Sequence, residues 1–296
     1  MNVGVVGLGR MGAAIAARLL DRGFPLVVWN RSRSRATALE ASGAKQVLTP
    51  AGAAAVSDIV VTMLADDDAA RAVYLGKNGL CSPAAAGRLF IEMSTLRPET
   101  VRELHEKLHE HGAAMIDAPV SGTVGPAREG QLLALVGGEE KDLRRAEPVL
   151  SALTRRVVHA GPAGQGALLK LAVNLPLAVY WQSLAESVAI GEAGGLDRKT
   201  IVETLADSAA ALAVLNLKLP AILGASAEVA FDLASMQKDL RLITGTAETL
   251  GIDTVAARAA LRAYGKAVDA GLGDDDAATI VAHPELRRRD LSLASD

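Results

Sequence analysis

The chain has 296 residues, a formal net charge of −3, and a composition that is half hydrophobic but only 3% aromatic. No basic face stands out, which argues against a nucleic-acid partner, and a single cysteine, Cys81, excludes a disulfide framework or a thiolate-rich metal site. The length suits one large domain or two moderate ones.

The opening stretch MNVGVVGLGRMGAAIAARLL is apolar, yet it lacks the basic segment of a secretory leader and Arg10 interrupts it. It reads instead as a strand, Asn2 to Val6, then Gly7-Leu8-Gly9-Arg10-Met11-Gly12, then a helix to Arg22. G-x-G-x-x-G between a strand and a helix is a dinucleotide-binding signal. The first glycine permits a tight turn, the second lets backbone approach a pyrophosphate, and the third allows close helix–strand packing. The helix N-terminus then offers N–H groups to the anion.

A second strand, Pro25 to Trp29, leads into Asn30-Arg31-Ser32, with Arg33 and Arg35 behind. NAD-specific sites carry an acidic residue about 20 residues past the glycines. Asn30 stands there instead, followed by Arg31, which can pair with a 2′-phosphate. NADP(H) is therefore the expected cofactor, with NAD(H) possible.

Further apolar runs cover 58–64, 88–93, 113–116, 132–136 and 155–159, with helical patterns between most of them. Such alternation indicates a doubly wound, largely parallel sheet, a Rossmann-type α/β fold. Ligands of these sheets sit beyond the strand carboxyl ends. That singles out Met63-Leu64-Ala65-Asp66, Met93-Ser94-Thr95 and Asp117-Ala118-Pro119-Val120-Ser121-Gly122. His105-Glu106-Lys107-Leu108-His109 matches the zinc-protease signature H-E-x-x-H, but it falls on the polar face of a helix linking two strands. No metal is expected.

After Gly161 the strand signal stops. A long helix, about 164–194, carries Lys170 with Asn174 four residues on; a step of about 400° puts both on nearly one side. Lys170, Asn174, Gln182 and Glu186 punctuate its apolar run, so a buried helix is expected rather than a membrane span. Further helices are expected at 196–206, 211–219, 233–249 and 253–270. The expected organisation is a dinucleotide-binding domain, 1–162, and an all-α domain, 163–296, in a cytoplasmic protein.

Four motifs, in order, resemble the β-hydroxyacid dehydrogenase family: Gly7 to Gly12; Asp117 to Gly122; Gly164-Gln165-Gly166 with Lys170 and Asn174; and Lys238-Asp239 after Phe231. The resemblance covers nearly the whole chain. It implies a Rossmann domain, a long interdomain helix and a helical substrate domain that mediates a homodimer or homotetramer. It implies Lys170 as the catalytic acid/base, and Ser121, Gly122, Thr123 and Asn174 as substrate-binding residues. The cofactor would contact Gly7, Leu8, Gly9, Arg10, Met11, Gly12, Asn30, Arg31, Ser32, Arg35, Met63, Leu64, Ala65, Thr95, Phe231 and Lys238. The chain departs from the pattern at Thr123, where a further glycine is common, and at Val173, where some members carry Asn. Pro176, inside the long helix, is expected to kink or loosen it.

The implied reaction interconverts a small β-hydroxyacid and its semialdehyde, or reduces a short aldehyde acid such as glyoxylate or succinic semialdehyde. Side-chain selectivity is sought in the helical half, among residues such as Leu212, Leu215, Asn216 and Phe231. Two rival readings are an imine reductase of the same fold, which typically replaces the lysine, and an NADP-binding sensor without turnover.

Overall fold

The computed structural model describes residues 1–226 and 228–283; the segment 284–296 of the expected helical domain lies outside them. The chain divides into two compact units, the first Met1–Ala172 and the second beginning at Val173.

In the first unit, strands rich in β-branched residues alternate with short helices. Its front half runs β1 (Val3–Val6), α1 (Arg10–Asp21), β2 (Leu26–Trp29), α2 (Thr37–Ala41), β3 (Lys45–Gln46), α3 (Pro50–Val56), β4 (Ile59–Thr62) and α4 (Asp67–Leu75). Then follow β5 (Leu89–Glu92), α5 (Pro98–Glu110), β6 (Ala114–Asp117), β7 (Val120–Ser121), α6 (Val124–Glu129), β8 (Leu132–Gly137), α7 (Glu140–Leu153) and β9 (Thr154–Gly161). The sheet order is β3-β2-β1-β4-β5-β6-β8-β7, with β9 paired to β8. From β3 to β6 every pair is parallel. This is the doubly wound order whose reversal between β1 and β4 marks a ligand crevice. β8 turns antiparallel to β6 and β7, and β9 follows it in parallel.

Successive strand residues face opposite sides, and two cores result. Val3, Val5, Val28, Val61 and Ile91 join Ile15 and Leu19 of α1 and Val149 and Leu153 of α7 on one face. Val6, Val60 and Phe90 join Tyr74 of α4 and Leu104 and Leu108 of α5 on the other. Register places Trp29, Val6, Thr62, Glu92 and Asp117 in one row across the sheet. The loops after that row therefore share one edge of the first unit.

Helix α8 (Gln165–Ala193) begins in the first unit and continues into the second. Pro176 lies inside it, and the α-helix runs on to Ala193. The second unit continues with α9 (Arg198–Asp207), α10 (Ala213–Ile222), α11 (Leu233–Thr249) and α12 (Val255–Ala267). Each follows the expected helical segment within a few residues. Asp197 starts α9 by accepting the Thr200 N–H at 3.1 Å. Trp181, Leu184, Val188, Met236, Leu240 and Tyr264 form the buried interior of this unit, with α11 packed along α12. Among the described residues no helix is long and apolar enough to cross a membrane.

Candidate active site

The glycine turn after β1 is shaped by contacts that leave no room for side chains. Gly7 has φ of +95°, and a Cβ there would stand 2.2 Å from the Met63 carbonyl. A Cβ on Gly12 would stand 1.9 Å from the Gly7 carbonyl, which is the close helix–strand approach the motif requires. Gly9 is different. A Cβ there would meet nothing within 4 Å, and no side chain caps the start of α1. Open space before an uncapped helix N-terminus fits a pyrophosphate held by backbone N–H groups. Arg10 is exposed and Met11 half-buried beside this space, whereas the Leu8 side chain belongs to the core.

Asn30 is engaged within the protein. Its Oδ1 accepts the Leu8 N–H at 2.8 Å, and its Nδ2 donates to the Ser32 carbonyl at 3.0 Å. It thereby joins the glycine turn to the end of β2. Arg31, Ser32 and Arg35 extend from that end into solvent.

The ends of β4 and β5 are joined by a buried polar chain. Thr62 Oγ1 donates to Glu92 Oε2 at 2.7 Å and lies 2.9 Å from the Tyr74 hydroxyl. Glu92 Oε1 accepts the Ser94 N–H at 2.7 Å, and Ser94 Oγ accepts the Leu64 N–H at 2.7 Å. Thr62, Tyr74 and Glu92 are fully buried. Burial pushes the Glu92 carboxyl above its ordinary range, against the Ser94 and Thr62 hydrogen bonds, which pull it down. The half-buried Leu64 and Thr95 stand beside this chain, with Ala65 exposed. Neither Glu92 nor Tyr74 was among the expected site residues. An acidic residue closing an apolar strand was the available signal.

The β7–α6 turn carries Ser121, Gly122 and Thr123. Gly122 has φ of +133°, and a Cβ there would stand 2.7 Å from Leu132 Cδ2. Thr123 has φ of −113°, an extended conformation open to any residue, so the turn does not require the glycine common at this place. Its side chain does not cap α6.

The first turn of α8 is held by Asp117, at the end of β6. Asp117 Oδ1 accepts the Gly164 N–H at 2.8 Å and Oδ2 accepts the Ala167 N–H at 2.7 Å. Three residues on, Lys170 is 8% exposed. In the second unit, Asn174 is buried and its Nδ2 donates to Asp239 Oδ2 at 2.7 Å. Lys238 Nζ stands 2.9 Å from Asp239 Oδ1, an ion-pair distance without hydrogen-bond alignment. Asp239, 1% exposed, thus orients a residue the sequence singled out, and its adjacency to Lys238 was the only signal for it. The turn before Phe231 is anchored by Asp276, which accepts the Ala230 N–H at 2.9 Å and pairs with Lys218. Of the expected selectivity residues, Leu215 is core, while Leu212 and Asn216 are exposed.

Two sequence features stand apart from these loops. His109 is exposed and His105 half-buried on α5, and among the described residues no group of three His, Cys, Asp or Glu could hold a metal. The Cys81 thiol is pushed up to about 12 by burial, so it is a neutral thiol at physiological pH.

Comparison with known proteins agrees with this geometry. Residues 2–161 match the NAD binding domain of 6-phosphogluconate dehydrogenase, and residues 164–283 match the family described as NAD-binding of NADP-dependent 3-hydroxyisobutyrate dehydrogenase. The chain is 32% identical over 281 residues to glyoxylate/succinic semialdehyde reductase 2, chloroplastic, of Arabidopsis thaliana, covering 95% of this chain and 78% of that protein. Among solved structures, 3-hydroxyisobutyrate dehydrogenase of Mycobacterium tuberculosis with L-serine is similar at a TM-score of 0.83 and 29% identity, over 95% of this chain and 97% of that one. An imine reductase of Streptomyces aurantiacus matches at a TM-score of 0.64 and 27% identity, over 98% of this chain and 100% of that one. With an open glycine turn in a doubly wound sheet and both halves matched in order, the chain belongs to the β-hydroxyacid dehydrogenase family of NAD(P)-dependent oxidoreductases.

Proposed function

We propose that the protein is an NADP(H)-preferring reductase of small carboxylated aldehydes, interconverting a β-hydroxyacid and its semialdehyde with Lys170 as proton donor and acceptor. The observation that carries this reading is a lysine buried to 8% exposure, three residues after a helix turn that Asp117 holds to the sheet. When bound, the nicotinamide cofactor would supply the hydride for the carbonyl carbon. Lys170, as an ammonium, stabilises the oxygen as it gains negative charge and transfers a proton to it, completing the alcohol. In the reverse direction the amine takes the hydroxyl proton.

Ser121 and the Gly122 and Thr123 N–H groups hold the substrate carboxylate. Asn174, its amide oriented by Asp239, hydrogen-bonds the substrate hydroxyl or carboxylate. Gly9 and the start of α1 would hold the cofactor's pyrophosphate, and Arg31 would pair with its 2′-phosphate. Arg35 and Ser32 would flank that phosphate, while Asn30 fixes the backbone between the glycine turn and Ser32. The remaining cofactor contacts are Arg10, Met11, Met63, Ala65 and Thr95 in the first unit, and Phe231 and Lys238 in the second. We read the enzyme as a cytoplasmic homodimer or homotetramer. The resemblance to the β-hydroxyacid dehydrogenase family implies that assembly.

NADPH-coupled assays on glyoxylate, succinic semialdehyde, tartronate semialdehyde and methylmalonate semialdehyde, beside a cyclic imine, test the reading. Turnover of at least one aldehyde acid with none of the imine is expected. The opposite result would establish the imine reductase, and NADPH binding without any turnover would establish the sensor.

A further inference from the structure

The carboxylate of Asp117 joins the sheet to the start of α8, and it does so with both oxygens. A helix start leaves several N–H groups without intrahelical partners. Here Gly164 and Ala167 give theirs to Asp117, and the Gly166 N–H also bears on the same carboxylate. Asp117 ends β6, paired with Glu92 of β5 and Gly137 of β8, so the acceptor belongs to the rigid part of the unit.

The surroundings are built tightly about this carboxylate. A Cβ added to Gly137 would stand 2.5 Å from Asp117 Oδ1, and one added to Gly166 would stand 2.8 Å from Oδ2. The Gly166 Cβ would also stand 2.3 Å from the Leu135 carbonyl, so the first turn of α8 lies directly on the backbone of β8. Three residues separate Ala167 from Lys170, a rise of about 4.5 Å and a turn of about 300°. Any sliding or rotation of the first turn is passed on to the lysine through a continuous helix.

We propose that Asp117 is a positioning residue for Lys170, fixing the height and rotation of α8 so that the ammonium meets the substrate oxygen. The inference rests on the reading of Lys170 as the proton donor. It assigns a task to the aspartate that opens the Asp117–Gly122 segment, distinct from the carboxylate-binding task of Ser121 and Gly122. An asparagine at 117 keeps one acceptor but turns an N–H toward a backbone N–H, so the first turn must shift.

A double-mutant cycle tests this, because residues that act through one another are non-additive. Asp117→Asn should lower kcat about 10- to 100-fold, since small misplacements of catalytic groups have effects of that order. NADPH binding, read by fluorescence titration, should stay within about twofold, because the glycine turn is untouched. In a Lys170→Ala background rescued with methylamine, a freely diffusing proton donor, Asp117→Asn should change the rate less than about threefold. Equal losses in both backgrounds would overturn the proposal, as would NADPH binding weakened tenfold or more. If Asp117→Asn does not fold, Ala167→Pro takes its place in the same cycle. It removes one of the same N–H donors in the first turn, where proline is tolerated. A fully active Lys170→Ala enzyme would overturn the functional reading together with this one, whereas an inactive one with equal Asp117→Asn losses overturns this one alone.

Discussion

At the end of β2 two neighbouring residues stand in different surroundings. The Asn30 amide is taken on both sides by backbone, at Leu8 and Ser32, while Arg31 is left exposed. The position of this turn was legible, since a polar residue follows a strand at a fixed distance from the glycines. The role of Asn30 was not, because the direction of an amide depends on a partner 22 residues away in the chain. Arg31→Ala should raise the NADPH KM roughly 10- to 100-fold, the worth of a charge-assisted phosphate contact, and leave the NADH KM nearly unchanged. Equal changes for both cofactors would remove Arg31 from phosphate recognition. Lys170 and Asn174 were visible as polar breaks in an apolar helix, but Asp117 and Asp239, which hold them or their helix, were visible only as members of motifs.

Among the elements, β4 and β5 carry the clearest consequence for stability. Glu92, Thr62 and Tyr74 form a fully buried polar chain between them, and burial raises the Glu92 carboxyl pKa. An unfolded glutamate releases its proton first as pH rises, so the folded protein binds the extra proton and stability falls until Glu92 has ionised in the fold. Glu92→Gln keeps an oxygen for the Ser94 N–H, and its amide can donate to Thr62, whose hydroxyl has the Ile91 carbonyl 3.4 Å away as an alternative acceptor. This variant should therefore unfold at a higher temperature than the parent at pH 8, by about 2–4 °C per kcal/mol gained, with the gain vanishing near pH 4. Calorimetry at both pH values reads the outcome. A lower midpoint at pH 8 would mean the ionised hydrogen bonds outweigh the desolvation. The only signal beforehand was the acidic residue closing an apolar strand, and such a Glu ordinarily reads as a solvent-facing end. The two-residue strands β3 and β7 were equally silent, being too short for any period.

For the whole molecule, alternating strands and helices, a glycine turn at residue 7 and the loss of strand character after Gly161 made the architecture readable from the chain. The antiparallel direction of β8 was not, because it depends on how the β7–α6 connection returns the chain to the sheet. Pro176 was expected to disturb α8, and the helix continues past it to Ala193. In sedimentation velocity the protein should run as a homodimer or homotetramer, and a monomer at working concentration would contradict that reading. The account as a whole depends on a proton reaching the substrate oxygen from Lys170. The most direct test is single-turnover reduction of the best aldehyde acid by Lys170→Ala, with NADPH binding measured on the same sample. The expected result is a rate lowered about 10²- to 10⁴-fold with NADPH affinity unchanged. A rate within threefold of the parent would contradict the account.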